Sequence, residues 1–156
     1  MCFQEPFPWR NSRALARTSL RSEPWIRSLL LGARDHPLPF VLEALDSAAP
    51  ATRPLFSCFA VYVGPRIVFA LRDRPTHSAD NGVWIATTQE HHASLLREFP
   101  HMRSIGVLGK AVTGWQLLPA DAPDFESAAL RACELVLRQD PRIGKIPKAK
   151  RGKVTR

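Results

Sequence analysis

The segment Cys58-Phe59-Ala60-Val61-Tyr62-Val63-Gly64-Pro65-Arg66-Ile67-Val68-Phe69-Ala70-Leu71 decides the fold. Phe59, Val61 and Val63 recur at every second position of its first half. Ile67, Phe69 and Leu71 do the same in its second half. A period of two belongs to a β-strand, whose side chains point to alternate faces. Gly64-Pro65 lies between the halves, with glycine at the first central position, where a tight primed turn needs a positive φ. The positions in between are apolar too. That predicts a hairpin near the centre of a sheet, covered on both faces or nearly so.

Working outward, Pro39–Ala48 reads as a helix, with Leu38, Val41, Leu42 and Leu45 at the three-to-four spacing of one buried face. Ala49-Pro50-Ala51-Thr52-Arg53-Pro54 reads as a breaker-rich connection to the hairpin. Beyond the hairpin come a polar loop over 72–81 and a third short strand over Val83–Thr87. A helix follows, in which Thr87-Thr88-Gln89-Glu90 has the spacing of a capping box. Its apolar face is Leu95, Leu96 and Phe99, and Pro100 ends it. Ile105–Leu108 and Val112–Leu118 read as two further strands joined at Gly109-Lys110. Asp121-Ala122-Pro123-Asp124 then announces a last helix, with acids at the positive end of its dipole. That helix runs to about Gln139 and turns Phe125, Ala129, Ala132, Cys133 and Val136 inward. The resulting order is α-β-β-β-α-β-β-α. It predicts a two-layer α+β domain with a mostly antiparallel five-stranded sheet and helices on one face.

The chain has 156 residues, 45% of them hydrophobic and 23% charged. That suits one globular domain rather than a disordered or fibrous chain. No apolar run approaches the roughly 18–20 residues of a membrane-spanning helix. The net charge of +8 is unevenly spread. Residues 142–156 hold seven basic residues and no acid, for +7. Residues 1–36 hold six Arg against three acids, for +3, and residues 37–141 hold nine basic and eleven acidic residues, for −2. The division that follows is an N-terminal extension, 1–36, with a short helix near 24–32; a single domain, 37–141; and a basic tail, 142–156.

A clustered basic tail binds phosphate backbones by releasing counterions, without reading sequence. It is equally a solvated tail that keeps a protein dispersed. The candidate nucleic-acid contacts are Lys145, Lys148, Lys150, Arg151 and Lys153 of the tail, with Arg53, Arg66, Arg72 and Arg74 bordering the first hairpin. No aromatic lies within 142–156, so base stacking has no platform there. Tyr62, Trp84 and Trp115, each on a strand, form a candidate binding surface if they share a face, and core if they do not.

Cys2, Cys58 and Cys133 are an odd number without close spacing, which argues against a disulfide framework and suits a reducing cytoplasm. Cys58 and Cys133 fall on apolar faces and read as small core residues. The first residues lack the order of a secretory signal. His77, His91, His92 and His101 make the only possible metal cluster. However, His91 and His92 point about 100° apart on a helix, and no HExxH or CxxC spacing is present. The glycines are single and scattered, so no phosphate-binding glycine loop and no nucleophile elbow is found. No cofactor is expected.

Arg53-Pro54-Leu55-Phe56-Ser57-Cys58-Phe59-Ala60-Val61-Tyr62-Val63-Gly64 resembles the opening of the TfoX N-terminal domain. There an Arg, then Met-Phe-Gly-Gly, precedes a strand with a Tyr and a glycine turn. This chain departs from that pattern at Leu55 and Ser57. Arg97-Glu98-Phe99-Pro100-His101-Met102-Arg103-Ser104, with the later Trp115, resembles the YjbR (MmcQ) family. The resemblance covers roughly 38–140 and implies a secretion-chaperone-like layout. It also implies a non-enzymatic domain with DNA-binding or regulatory roles proposed for some relatives. The expectation is a cytoplasmic nucleic-acid-binding or regulatory domain that turns over no substrate. The alternative is a protein-interaction or dimerisation module.

Overall fold

The computed structural model describes residues 36–148. The extension with its 24–32 helix lies outside the described residues, as do Lys150, Arg151 and Lys153. Within them the chain is α+β. Helix α1 (Pro39–Ala44) and a 3-10 turn (Asp46–Ala48) lead to β1 (Ala51–Leu55), β2 (Cys58–Val63), β3 (Arg66–Arg72) and β4 (Gly82–Ala86). Helix α2 (Gln89–Glu98), β5 (Arg103–Ser104), β6 (Trp115–Pro119) and helix α3 (Phe125–Leu137) complete the order. The sheet has six strands in the order β1-β2-β3-β4-β6-β5, each pair antiparallel.

The sixth strand is β1, in the stretch that its proline and alanines mark as a connection. Pro54 pairs with Phe59 inside it. A strand tolerates a missing N–H at the edge of a sheet, which is where β1 lies. Proline there also blunts the edge against pairing with another chain.

All three helices contribute to one core, against Val61, Phe69, Leu71, Val83, Ile85 and Leu118 of the sheet. Each such side chain removed from water contributes roughly 1.5–3 kcal/mol, so this layer dominates stability. Strands β3 and β4 are buried over most of their length on both faces, as their unbroken apolar runs predict.

One detail of the hairpin differs from the period-two reading. Val61 pairs with Phe69 but Tyr62 pairs with Ile67, so Val68 is an extra residue. A bulge of this kind shifts the faces of everything beyond it. Phe69 and Leu71 therefore face the helices, while Ile67 turns to the other side with Ala60 and Ala86.

The second hairpin also differs. Ile105–Leu108 is not a strand; β5 is only Arg103–Ser104, opposite Leu117 and Gln116, and 105–114 is a loop. Its first turn is held from outside the hairpin by Asp80. One carboxylate oxygen accepts the Val107 amide at 2.7 Å, and both accept the Gly106 amide at 3.1–3.2 Å. An acid 26 residues away thus takes amides that a sixth-strand pairing would otherwise use.

Nor does the capping box at α2 form. Thr88 is the N-cap residue, and its hydroxyl donates to Glu90 Oε1 at 3.0 Å. Thr87 Oγ1 donates instead to the Arg142 carbonyl at 2.6 Å. That contact marks a correction to the tail boundary. Ile67 and Lys145 exchange both backbone hydrogen bonds, at 2.8 and 2.9 Å, and the Gly144 amide reaches the Ala86 carbonyl at 2.7 Å. Residues 143–145 fill the gap where β3 and β4 part company, and Ile143 is buried in the helix-side core. The folded unit runs past 141, and only 146–148 of the described tail are exposed.

Gly82 fits one conformation only. Its φ is 138°, and an added Cβ would run into the Leu118 carbonyl of β6. Backbone here approaches backbone at a distance only glycine permits.

Candidate functional site

The sheet face away from the helices carries Tyr62, Ile67, Trp84, Trp115 and Leu117, over a floor of Cys58, Ala60, Ala70 and Ala86. Pairing explains the grouping. Ala60 lies opposite Ala70, Ala70 opposite Trp84, Trp84 opposite Leu117, and Ala86 opposite Trp115. The three aromatics singled out in the sequence therefore do share a face, and it is the one opposite the helices.

They are not equivalent. Trp84 is 5% exposed, and its indole Nε1 donates to the Asp80 carbonyl at 2.8 Å. It is a core residue, and as a surface for a ligand it is corrected here. Its ring meets Trp115 edge-on, with centroids 6.3 Å apart. Trp115 and Tyr62 are half-buried and reach the surface.

One of these two has a cation over its ring, and a second cation reaches the backbone next to the other. The Arg53 guanidinium lies over the Tyr62 ring at 5.2 Å, close enough for a cation–π attraction. The Lys145 side chain runs along this face to Gly114, next to Trp115; a Cβ on Gly114 would collide with its ammonium. Among the described residues no carboxylate pairs with Lys145, and desolvation lowers its pKa. Two consequences of the insertion of 143–145 meet here. The segment closes the sheet, and it delivers a lysine to the aromatic face.

The other predicted arginines are placed differently. Arg72 is 1% exposed. Its guanidinium donates to the carbonyls of Thr76 and His77, at 2.7 and 2.9 Å, to Asn81 Oδ1 and to Ser57 Oγ. It organises the 73–81 loop and has no face left for a phosphate, which corrects its place among the surface cations. Arg66 is half-buried and directs Nη2 to the carbonyls of Ile143 and Gly144, each at 3.3 Å. Arg74 and Lys148 are exposed, Arg74 with Nε on the Ser57 carbonyl at 3.2 Å. The structure thus brings Arg53 and Lys145 to the aromatics, leaves Arg74 and Lys148 free to reach solvent, and withdraws Arg72.

Charge divides by layer. The helices and the chain at their ends (36–50, 87–102 and 119–142) hold nine acids and four Arg, a net −5. The strands, their loops and the closing segment (51–86, 103–118 and 143–148) hold eight basic residues against Asp73 and Asp80, a net +6. Asp80 adds little free negative charge to that side, since it is 5% exposed and taken up by Arg103 and two amides. Burial alone would raise its pKa, but the Gly106 and Val107 amides and the Arg103 guanidinium outweigh that and hold it below the usual carboxylate range. Acidic charge therefore concentrates in the helix segments and basic charge in the sheet segments, with Arg72 of the latter buried.

Sequence reasoning missed Asp80, because its partners lie far along the chain and no spacing announces them. It also missed Phe56. This residue is 95% exposed at the β1–β2 turn, with φ at 53°, a left-handed conformation uncommon for an aromatic. The positive φ of that turn falls on Phe56 and not on Ser57.

Histidines do not gather. His91 lies 3.5 Å from Glu90, and His101 Nδ1 lies 2.9 Å from Asp124 Oδ1, within ion-pair reach but outside hydrogen-bond geometry. Among the described residues no three His, Cys, Asp or Glu side chains group as a metal site. His101 and Asp124 border a shallow surface depression, too tight to admit a water, between Phe99, Met102, Leu118 and Phe125. Its lining contains no Ser, Thr, Cys or Lys to act with the pair. Cys58 and Cys133 are buried free thiols, and burial pushes Cys133 up to about 12. No described helix is long and apolar enough to cross a membrane. No protein-family model matches the chain, and neither a curated protein nor a solved structure matches it.

Proposed function

We propose that this protein binds nucleic acid through the sheet side of its domain and catalyses no reaction. The charge division carries the reading. A net −5 on the helix layer against +6 on the sheet layer gives one face that attracts a polyanion and one that repels it. Binding of that kind works by neutralising phosphates and releasing their counterions. Arg53, Arg74, Lys110, Lys145 and Lys148 are the contacts, with the 149–156 segment adding its own cations. The resemblance to the TfoX N-terminal domain points the same way, and a reducing cytoplasm suits the two buried thiols. The test is fluorescence anisotropy with a labelled oligonucleotide of about 20 residues, titrated at 50 and 200 mM salt. Binding at 50 mM that weakens steeply at 200 mM, and weakens further in an Arg53→Ala/Arg74→Ala double variant, is the expected result. Failure to bind at 50 mM salt overturns the reading.

A second reading, a protein-interaction or dimerisation module, is favoured by one observation. Val107, Leu108 and Val112 are all exposed on the 105–114 loop. Sedimentation of the full chain decides it, because a concentration-dependent dimer abolished by Leu108→Ser is what that reading requires.

A further inference from the structure

The sheet side does more than present positive charge. Tyr62 stands on β2 and Trp115 on β6, on the same face. Both pack against the floor formed by Ala60, Ile67 and Ala86. Small floor residues leave the two rings as the tallest half-exposed groups around them. The bulge at Val68 contributes, because it brings Ile67 rather than Val68 to this side. Arg53 lies over the Tyr62 ring at 5.2 Å, and the Lys145 ammonium reaches the backbone at Gly114, one residue before Trp115. Between the rings, Ile67 pairs with Lys145, and Gly144 with Ala86, so the inserted segment sets the width of the platform. With neighbouring strands about 4.8 Å apart, four steps across the sheet separate the two ring positions by roughly 19 Å.

A duplex keeps its base faces stacked inside and offers only edges and phosphates to a protein. A single strand offers base faces, and half-exposed aromatics on a sheet face with cations nearby are what base faces stack upon. We infer that the occupant of this face is single-stranded nucleic acid, with one base stacked on Trp115 and another on Tyr62, from whose ring Arg53 swings to an adjoining phosphate, while Lys145 holds a second phosphate. This rests on the nucleic-acid reading above and narrows it to one strand form. The charge complementarity of the sheet side favours that occupant over an apolar peptide.

The experiment compares the full chain with Trp115→Leu, Trp115→Phe and Tyr62→Leu, by anisotropy, on a labelled 20-residue single strand and on the duplex of the same sequence. Leucine keeps apolar bulk without a ring, and phenylalanine keeps a ring. Urea unfolding of each variant confirms an intact fold. The wild-type chain should prefer the single strand by tenfold or more. Trp115→Leu and Tyr62→Leu should each weaken single-strand binding by roughly tenfold, within the range measured for loss of one stacked base, and leave duplex binding unchanged. Trp115→Phe should restore most of it. Equal wild-type affinity for strand and duplex, or leucine variants that bind the single strand as well as wild type, overturns the inference while leaving the nucleic-acid reading standing. Absence of binding to both forms overturns the two together.

Discussion

At Arg72 a guanidinium sits buried among neutral acceptors, with its hydrogen bonds running to the loop that follows it. Removing it takes away the donor that Thr76, His77, Asn81 and Ser57 share. Arg72→Met should therefore cost about 3 kcal/mol in urea unfolding, as expected for buried hydrogen bonds made by a charged donor. Arg72→Lys should recover only part, because an ammonium cannot span the fork of acceptors. A cost below about 1 kcal/mol for Arg72→Met would show the loop to be held by other contacts. Asp80 makes the complementary case. Its carboxylate binds fewer protons folded than unfolded, because its folded pKa lies below the ordinary value near 3.9. Its contribution is complete above that value and disappears as pH falls through the lower, folded one. The same sign applies to Asp140, which hydrogen bonds from Arg142 hold down. The urea midpoint should fall gently as pH drops through about 6.5, because burial and the nearby Lys145 hold the folded His92 imidazole below its ordinary range, and steeply below about 4, with a shallower acid limb in Asp80→Asn. An acid limb of equal steepness in that variant would remove Asp80 from the account. The arginines of the first hairpin are identical in composition and neighbours in sequence. Only burial separates Arg72, which builds a loop, from Arg53, which reaches solvent, and burial is set by pairing across strands.

At the scale of elements, the central hairpin and helices α2 and α3 were readable because their apolar positions recur at the period of the element itself, although Leu96, expected on the inward face of α2 with Leu95 and Phe99, is exposed. Two features were not, and both depend on contacts distant in sequence. Strand β1 is polar and contains a proline, and it becomes a strand only because β2 offers it an edge. Residues 142–145 look like the start of a solvated basic run, yet they complete the sheet because β3 and β4 diverge at the Val68 bulge. The bulge itself is a single added residue inside an unbroken apolar run, where no change in residue type marks it. The structural role of the segment has a direct test. Ile143→Ala should cost roughly 2–4 kcal/mol in urea unfolding, as a buried isoleucine truncated in a well-packed core does. Removal of 146–156 should cost almost nothing, since Ile146, Pro147 and Lys148 are exposed. A negligible cost for Ile143→Ala would show that the sheet closes without this segment. It follows that deleting the whole basic run from 142 onward confounds binding with folding, and that a truncation meant to probe charge belongs after Lys145.

At the scale of the molecule, the opposition between helix and sheet layers was present in the sequence as counts but not as sides. Residues 37–141 sum to −2, a value that conceals it. Only the fold sorts nine acids to one layer and leaves the strands and their loops basic. That sorting makes a quantitative statement about salt. For a single strand the logarithm of affinity falls with the logarithm of salt at about 0.7 per phosphate neutralised. Arg53, Arg74, Lys110 and Lys145 are four such contacts, which gives a slope of about −2.8 for a chain ending at Lys145. The segment beyond it holds five further cations, Lys148, Lys150, Arg151, Lys153 and Arg156. If all engage, the slope of the full chain steepens to about −6.3. The truncated chain should therefore keep its preference for a single strand while losing up to about 55% of its salt dependence. Identical slopes before and after truncation would assign all phosphate contacts to the folded sheet side. A truncated chain with no salt dependence would assign them to the tail and leave the layered charge without a role in binding. Because stacking on Tyr62 and Trp115 is insensitive to salt and phosphate contact is not, the same titration separates the two parts of the interface: aromatic substitutions shift the line without tilting it, and lysine or arginine substitutions tilt it.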